Sequence, residues 1–303
     1  MTNPETRAAA SSDERDELGP TYLFSVDLED VRSLFPGGQR LAERVPENTE
    51  RFLGFLDRHR IRCTFFTTGD VARRYPSLVR TVAAAGHEIG CHTSDHTALD
   101  RHDADSFRSD IQRCQEVFER AGVTRSIGFR APYGSMTART AWAYRVLGKL
   151  GFEYSASVLP ARNPLYGWPE FGPDRPRMLD GLLEVPVTLT HLPGLNVPLV
   201  GGIYFRLLPF PLIRRIFRRR LANGEPVAGY LHPFDIDSRE PRFPFPDMNP
   251  LFSWLMFQNR DAVFPRLERL LELGVRVMPY AEYAAHQKRR LGARPDRPEA
   301  SVA

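Results

Sequence analysis

The sequence is poor in cysteine and contains no long apolar run. Its three cysteines, Cys63, Cys91 and Cys114, are widely spaced and form no CxxC pair. An odd, scattered set argues against a disulfide scaffold and favours a reducing compartment. No stretch approaches the roughly 18 consecutive apolar residues that would span a bilayer, and the polar N-terminal segment lacks the apolar core of a secretory signal. We therefore expect a soluble, cytoplasmic protein.

Charge of one sign is not in large excess either. The net charge of +4 and the pI near 9.1 are only mildly basic, and much of the excess is local to one arginine-rich segment. We therefore do not predict nucleic acid binding. No glycine-rich phosphate loop follows the first apolar run, which argues against a nucleotide-binding sheet.

Apolar runs alternate with helical patterns between two polar ends. The ends, 1–20 and 288–303, are predicted to be disordered tails around one domain, 21–287. The predicted strands are TYLFSVD (21–27), IRCTFFTT (61–68), HEIGCH (87–92), RSIGFR (125–130), FEYSASV (152–158), LLEVPVTL (182–189), VAGYLH (227–232) and VRVMPY (275–280). Alternation with helices at this spacing predicts parallel strands with crossover helices, as in a (β/α) barrel.

Charged and polar side chains occur where several predicted strands end. Asp27 ends the first strand, His92 the third, Arg130 the fourth and His232 a late one. Barrels of this kind carry their active sites at the carboxyl ends of the strands. The order therefore predicts one site on that rim.

Three acids follow the first strand in the segment SVDLED. If the strand continues briefly, Asp27 and Glu29 share one face by the two-residue period, and Asp30 faces away. The alternative is a turn that caps a helix, a position that acidic residues favour. The segment by itself leaves both interpretations open.

HTSDH places His92 and His96 four residues apart. This spacing brings two imidazoles to one side of a helical turn. Neutral imidazole is a good Zn²⁺ ligand, and two histidines with one carboxylate leave a position open for water. Two surface histidines before an acidic loop would produce the same pattern.

GFRAPYGS holds Arg130 between a strand and a proline. A buried arginine needs a carboxylate partner, and Asp27 is available if the first and fourth strand ends converge. The same residues also suit an ordinary turn. In YLHPFDID, His232 likewise lies at a strand end before a proline.

These four segments, SVDLED, HTSDH, FRAPYG and YLHPFDID, resemble successive motifs of the polysaccharide deacetylase family, carbohydrate esterase family 4. GLLEVPVTL, GGIYFRLLPFPLIRR and YLHPFDIDSREPRF further resemble a subgroup found with bacterial exopolysaccharide and exosortase systems. The resemblance covers about residues 21–285, with the motifs in family order. It implies a single distorted (β/α) barrel of about seven strands that removes acetyl groups from N-acetylated sugars.

The resemblance also implies catalytic roles. Asp27 is expected to be the general base, kept ionised by Arg130, and His232 the general acid that protonates the departing amine. The backbone N–H of Tyr133 is expected to help hold the tetrahedral oxyanion. Relatives in the subgroup often carry an acid where this chain has Ser155, which leaves the tuning of the general acid open.

The metal ligands implied by the resemblance are His92, His96 and one acid. The strand-face argument favours Glu29, with Asp30 as the close alternative. Histidine and carboxylate ligands suit Zn²⁺, and Co²⁺, Ni²⁺ or Mn²⁺ are compatible with the same set.

The expected partner is an N-acetylated glycan or a lipid-linked or nucleotide-linked sugar. Pro132, Tyr133 and Trp168 are predicted to contact the sugar, and aromatic residues of 243–257 could stack on it. Two alternatives remain. The same residues could hydrolyse another amide, such as a formamido sugar or a cyclic ureide, or the barrel could bind glycans without catalysis.

The segment 203–221, IYFRLLPFPLIRRIFRRRL, combines large apolar residues with a cluster of arginines. A helix from about Pro211 would have an apolar face with arginines around it. One interpretation is a helix that covers the barrel and exposes a basic face. The other is a patch that docks on an anionic membrane surface or an anionic glycan carrier.

Overall fold

The computed structural model describes residues 18–292, apart from 164, 195, 246 and 247. Most of the two predicted tails, residues 1–17 and 293–303, lies outside the described residues. The last helix continues to Gly292, beyond the predicted domain boundary at 287. No helix in the described part of the chain is both long enough and apolar enough to cross a membrane.

Nine strands in the described part of the chain form one sheet. They are β1 (Thr21–Leu28), β2 (Thr64–Thr67), β3 (Glu88–Cys91), β4 (Gly128–Phe129), β5 (Tyr154–Ser155), β6 (Arg177–Leu179), β7 (Leu182–Glu184), β8 (Val227–Leu231) and β9 (Arg276–Val277). Their order is β6-β7-β5-β4-β3-β2-β1-β8, and β9 pairs with the start of β1. The pairings are parallel except that of β6 with β7.

Ten α-helices connect or flank these strands within the described ranges. They are α1 (Val45–Arg58), α2 (Gly69–Arg74), α3 (Pro76–Ala84), α4 (Ala104–Arg120), α5 (Trp142–Lys149), α6 (Gly202–Leu207), α7 (Phe210–Ala222), α8 (Pro250–Leu255), α9 (Val263–Leu271) and α10 (Tyr280–Gly292). Prolines in the first turns of α1 and α3 suit positions whose N–H needs no partner. Gly86, with φ of 83°, follows the end of α3, a position that favours glycine.

The predicted (β/α) architecture is confirmed, but the sheet is curled and incompletely closed. The strand order begins at β6 and ends at β8. Irregular chain after β7 bridges these edges, since Val187 N donates to Val158 O at 3.0 Å and Thr188 N donates to Ala228 O at 3.1 Å. The barrel is therefore distorted where regular pairing is replaced by this segment.

Strand β6 was not predicted from the sequence. It forms a hairpin with β7 through Asp180 and Gly181, whose φ angles are 45° and 81°. Asp-Gly between two apolar runs is a recognised signal for such a turn. That signal could have added this strand to the predicted set.

Alternate residues of β1 pack into different apolar clusters. Phe24 and Val26 belong to the larger cluster, which includes residues of the surrounding helices. Leu23 belongs to a second cluster with Phe66, drawn from strands, from residues next to them and from α10, on the opposite side of β1. By the two-residue period Asp27 lies on the Leu23 side. The strand thus delivers Asp27 to the inner face of the rim.

Glycines on inner strands make room for aromatic rings. A Cβ on Gly128 would lie 2.1 Å from Cζ of the buried Tyr154 ring.

We expect Gly128→Ala to lower the free energy of unfolding by about 1–3 kcal/mol through overpacking, measured by urea denaturation. Gly54→Ala in α1 is the control, because its Cβ would meet only Arg58 Nη1, at 3.8 Å. That change should raise the free energy of unfolding by about 0.5–1 kcal/mol. An unchanged free energy of unfolding in Gly128→Ala would contradict the close packing of Gly128 against Tyr154.

Candidate active site

The carboxyl ends of the strands bring six of the predicted residues to one rim. These are Asp27, Glu29, His92, His96, Arg130 and His232, of which the first five are buried. Glu29 is the meeting point. Its carboxylate contacts His96 Nε2 and lies 3.5 Å from His92 Nε2 and 3.8 Å from His232 Nε2.

Glu29, His92 and His96 form a cluster with the chemistry of a metal site. One ligand atom from each lies within 4.8 Å of the others. His92 Nδ1 lies 2.8 Å from the carbonyl oxygen of Arg130. Because a carbonyl can only accept, Nδ1 carries the proton and Nε2 presents a lone pair to the cluster. In metal sites, a hydrogen bond to one imidazole nitrogen commonly orients the other nitrogen toward the metal in this way. The residues therefore fit a divalent cation.

The ionisation of the cluster agrees with this fit. Burial by itself would raise the pKa of Glu29, but His96, His92 and His232 hold that pKa well below its usual range. Burial lowers the pKa of His96, against the opposing effect of Glu29. An ionised carboxylate and a neutral imidazole are the forms that bind metals.

Asp30, the alternative acidic ligand, lies outside this cluster. Its Oδ2 accepts from Arg32 Nη2 at 2.7 Å and from Arg74 Nη2 at 2.8 Å, and its Oδ1 accepts from the Arg32 backbone N–H at 3.0 Å. This last bond caps the 3-10 turn Val31–Leu34. Both interpretations of SVDLED are therefore correct for different residues, since Glu29 faces the site and Asp30 is the cap.

A loop, and not the helical turn suggested by the spacing, brings His92 and His96 together. Thr93 and His96 have φ angles of 63° and 55°. Such angles are uncommon in non-glycine residues and often mark functional sites. Asp110 of α4 holds this loop, because its Oδ2 accepts from Ser94 N at 2.9 Å and its backbone oxygen accepts from Ser94 Oγ at 2.8 Å.

Asp110 was missed by the sequence analysis. It is buried, three residues after Phe107 on the apolar stripe of α4. A carboxylate on the inner side of a helix needs a polar partner. That position was the available signal, although nothing local identified Ser94 as the partner.

The predicted pair of Asp27 and Arg130 is present. Arg130 Nη1 lies 2.6 Å from Asp27 Oδ1. Arg130 also donates to Ser25 Oγ at 2.7 Å, to Ala156 O at 2.9 Å and to Tyr280 Oη at 3.2 Å. These contacts fix the Arg130 guanidinium, which in turn holds Asp27 through Oδ1.

His232 is held by a carboxylate that the sequence analysis did not assign. Its Nδ1 lies 2.8 Å from Asp235 Oδ2, and Asp235 Oδ1 lies 2.9 Å from Nε of the fully buried Arg206. Burial would lower the pKa of His232, but Asp235, with help from Glu29 and Asp27, raises this pKa to about 9. The imidazole is therefore protonated at neutral pH. The three-residue spacing of His232 and Asp235 in LHPFD is the feature of the sequence that could have indicated this contact.

Tyr133 lies beside the cluster in a strained turn. Its φ is 58°, its ring meets the His96 ring edge-on with centroids 4.5 Å apart, and the residue is 42% exposed. No hydrogen bond found among the described residues uses its backbone N–H. The N–H is thus available to an oxyanion, and the ring is available to a substrate. Pro132 is buried in the same turn.

Trp168, which was predicted to contact the sugar, is largely buried. It is 7% exposed and packs edge-on against Phe171, with ring centroids 5.5 Å apart. Most of its surface is therefore used in the core, and its contact with the sugar stays a prediction.

The aromatics of 243–257 divide between core and surface. Phe243, Phe245 and Phe257 pack on one another in a cluster that also contains Phe234, two residues after His232. The large apolar side chains left exposed in this segment are Met248, Leu251, Phe252 and Trp254. Among the described residues of this segment, these four offer the most apolar surface to a ligand.

The apolar face of 203–221 also belongs to the core. Phe205, Ile213 and Phe217 are fully buried, whereas Arg214, Arg215, Arg218 and Arg219 of α7 are exposed. Arg220 turns inward to Asp174, at 3.0 Å. This agrees with the interpretation of a covering helix with a basic outer face.

Two family descriptions match the chain. Residues 36–154 match Polysaccharide deacetylase, and residues 156–283 match a domain of unknown function, DUF3473. The two matches meet at β5, which pairs with β4 on one side and β7 on the other. The matched segments therefore share one sheet, and the first supplies His92 and His96 while the second supplies His232.

Two relatives of known name match part of the chain. A peptidoglycan-N-acetylglucosamine deacetylase of Bacillus cereus is 33% identical over 90 residues, which are 30% of this chain and 33% of that protein. A chitooligosaccharide deacetylase of Azorhizobium caulinodans is 35% identical over 105 residues, which are 34% of this chain and 46% of that protein. The chain spans between a third and a half of the length of these relatives.

A solved structure resembles the whole described fold. The protein, from Mycobacterium smegmatis and described as a polysaccharide deacetylase, superposes with a TM-score of 0.63 at 22% identity. The superposition covers 92% of this chain and 94% of that one, which shows a shared fold. The match over residues 36–154 and the two relatives show that this part of the chain is similar to polysaccharide deacetylases, and the superposition shows the shared fold alone.

Proposed function

We propose that this protein is a metal-dependent hydrolase that removes acetyl groups from N-acetylated amino sugars. The observation that carries the proposal is the convergence of Glu29, His92 and His96 within 4.8 Å, with Asp27 and His232 on the same rim. Such an arrangement supplies three ligands, a base and an acid. A barrel that only bound glycans would need neither the base nor the acid.

Each residue has one task in this proposal. Glu29, His92 and His96 would hold a divalent cation, Zn²⁺ being the best match to their donor atoms. When bound, the cation supplies Lewis acidity, which polarises an amide carbonyl and acidifies water. Asp27 accepts the proton of the attacking water, and because Arg130 binds Oδ1, Oδ2 can take that proton.

Bond cleavage needs a proton on the departing nitrogen. As the water oxygen bonds to the acetyl carbon, negative charge develops on the carbonyl oxygen, and the Tyr133 N–H can donate to it. The carbon–nitrogen bond then breaks while His232 gives its proton to the amine. Asp235 keeps that imidazole charged and oriented. The products are acetate and a free amino sugar.

The substrate is proposed by class only. The two relatives are named for peptidoglycan and chitooligosaccharides, both of which contain N-acetylglucosamine. The exposed ring of Tyr133 and the apolar side chains of α8 suit stacking on sugar rings. A lipid-linked or nucleotide-linked precursor and a cytoplasmic location stay predictions.

Substitution of the cluster tests the metal assignment and the choice between the two acids. We expect His96→Ala and Glu29→Gln to lower metal affinity more than about 100-fold and to abolish acetate release. This loss exceeds the effect of removing a residue that only holds a ligand in place, which is about 10–100-fold. Asp30→Asn is the matched control and should retain the metal. Metal content of purified protein and acetate release from a tetramer of N-acetylglucosamine are the measurements. Full metal binding with full activity in His96→Ala would refute the assignment.

A change of leaving group tests the acid role. Asp235→Asn should lower kcat on the N-acetylglucosamine tetramer by about 10²-fold or more, the range of general acid catalysis. The same variant should hydrolyse an activated aryl acetate at nearly the wild-type rate, because a phenolate leaves without protonation. Equal losses on both substrates would place Asp235 in site stability and not in acid catalysis.

Contact with an anionic membrane stays a proposal that now depends on charge alone. The apolar side of α7 is buried, so Arg214, Arg215, Arg218 and Arg219 are what it offers to a surface. Each arginine near an anionic surface contributes about 1 kcal/mol. We expect salt-sensitive binding to vesicles containing phosphatidylglycerol, lost when all four are changed to serine. Absence of wild-type binding at low salt would exclude this contact.

A further inference from the structure

Glu184, at the end of β7, is a fully buried carboxylate that has no role in the chemistry above. Its Oε1 accepts from the backbone N–H groups of Ser157 and Val158, both at 2.8 Å. Its Oε2 accepts from Tyr144 Oη at 2.9 Å. One side chain on β7 therefore binds two consecutive backbone donors of the segment that follows β5.

The position of Glu184 is related to the departure noted at Ser155. In the parallel pairing of β5 with β7, Ser155 is the register partner of Glu184. Ser155 Oγ also donates to Ser157 Oγ at 2.8 Å. The carboxylate that the family resemblance led us to expect at 155 thus lies on the neighbouring strand, and it binds backbone instead of His232.

The segment 155–158 contacts both halves of the catalytic rim. Ala156 O accepts from Arg130 Nε at 2.9 Å, and Arg130 in turn holds Asp27. Ser157 Oγ accepts from Ala131 N at 2.9 Å. Ala131 begins the strained turn that contains Tyr133.

We propose that Glu184 is a positioning residue for the deacetylase site, which it orders through the segment 155–158. The proposal rests on the function proposed above. A carboxylate that accepts from two adjacent N–H groups forms strong, charge-assisted bonds. Loss of these bonds would free Ala156 O and Ser157 Oγ, so that Arg130 with Asp27 and the Tyr133 turn would shift together. Misplacement by about 1 Å can cost about 10²-fold in rate.

The test compares substitutions that differ in what they leave for the two N–H groups. Glu184→Leu removes both acceptors, whereas Glu184→Gln keeps an amide oxygen in place of Oε1 and can still bind Tyr144. Tyr144→Phe is the matched control, because it removes a hydrogen bond from the same carboxylate without touching the segment. The measurements are kcat and KM for acetate release from the N-acetylglucosamine tetramer, bound metal and the melting temperature.

We expect Glu184→Leu to lower kcat by about 30–100-fold, with KM and bound metal within about twofold of wild type. Glu184→Gln should recover most of kcat, and Tyr144→Phe should leave kcat nearly unchanged. If Glu184→Leu does not fold, Ser157→Ala decides the question, because it removes the acceptor of Ala131 N and of Ser155 Oγ and leaves Glu184 in place. That variant should lose about 3–10-fold in kcat and retain its metal.

Three outcomes would overturn the proposal. Glu184→Leu could lower the melting temperature while kcat per folded molecule stays at the wild-type value, or its losses of kcat and metal could be parallel. If Glu184→Leu is insoluble, an unchanged kcat in the separate variant Ser157→Ala would also overturn the proposal. Failure of the proposed function is recognised separately, because the wild-type protein itself would then release no acetate from any N-acetylated glycan.

Discussion

The imidazoles of His92, His96 and His232 all approach one carboxylate, that of Glu29, which is 4% exposed. An ionised carboxylate is stable away from water only when positive charge or donors compensate it. Much of the rim follows from this requirement. The strand end, the left-handed backbone of the HTSDH loop and the turn after β8 bring nitrogen atoms to a single acid. The same grouping has the donor atoms of a metal site.

A second set of buried acids keeps that grouping in place. Asp110 of α4 binds the loop between His92 and His96, Asp235 binds His232, and Glu184 binds the segment beside Arg130. In each case a carboxylate accepts from a backbone N–H or an imidazole that would otherwise be free to move. Loops, which are the mobile parts of most barrels, are thereby made rigid at the site. The proposed mechanism therefore depends on these three acids as well as on the groups that would touch the substrate.

Prediction from the sequence succeeded where the controlling physics is local or follows from parallel strands. The alternation of strands and helices is encoded in periodicity, and the carboxyl ends of parallel strands meet at one edge. These two facts were enough to pair Asp27 with Arg130 across the sheet. Prediction failed for the helical turn at HTSDH. The spacing of His92 and His96 is compatible with both a helix and a loop, and a contact with α4 selects the loop.

By itself, the sequence predicted the fold class, the edge of the sheet that carries the site and, through the order of the motifs, five of the six side chains on the rim. Only the tertiary structure decided between Glu29 and Asp30, because Arg32 and Arg74 bind Asp30 and leave Glu29 to the histidines. It also buried Trp168, which no local pattern could show. Burial and ion pairing depend on which distant segments come into contact. A linear pattern shows which residue types are available, and packing decides which of them face the site.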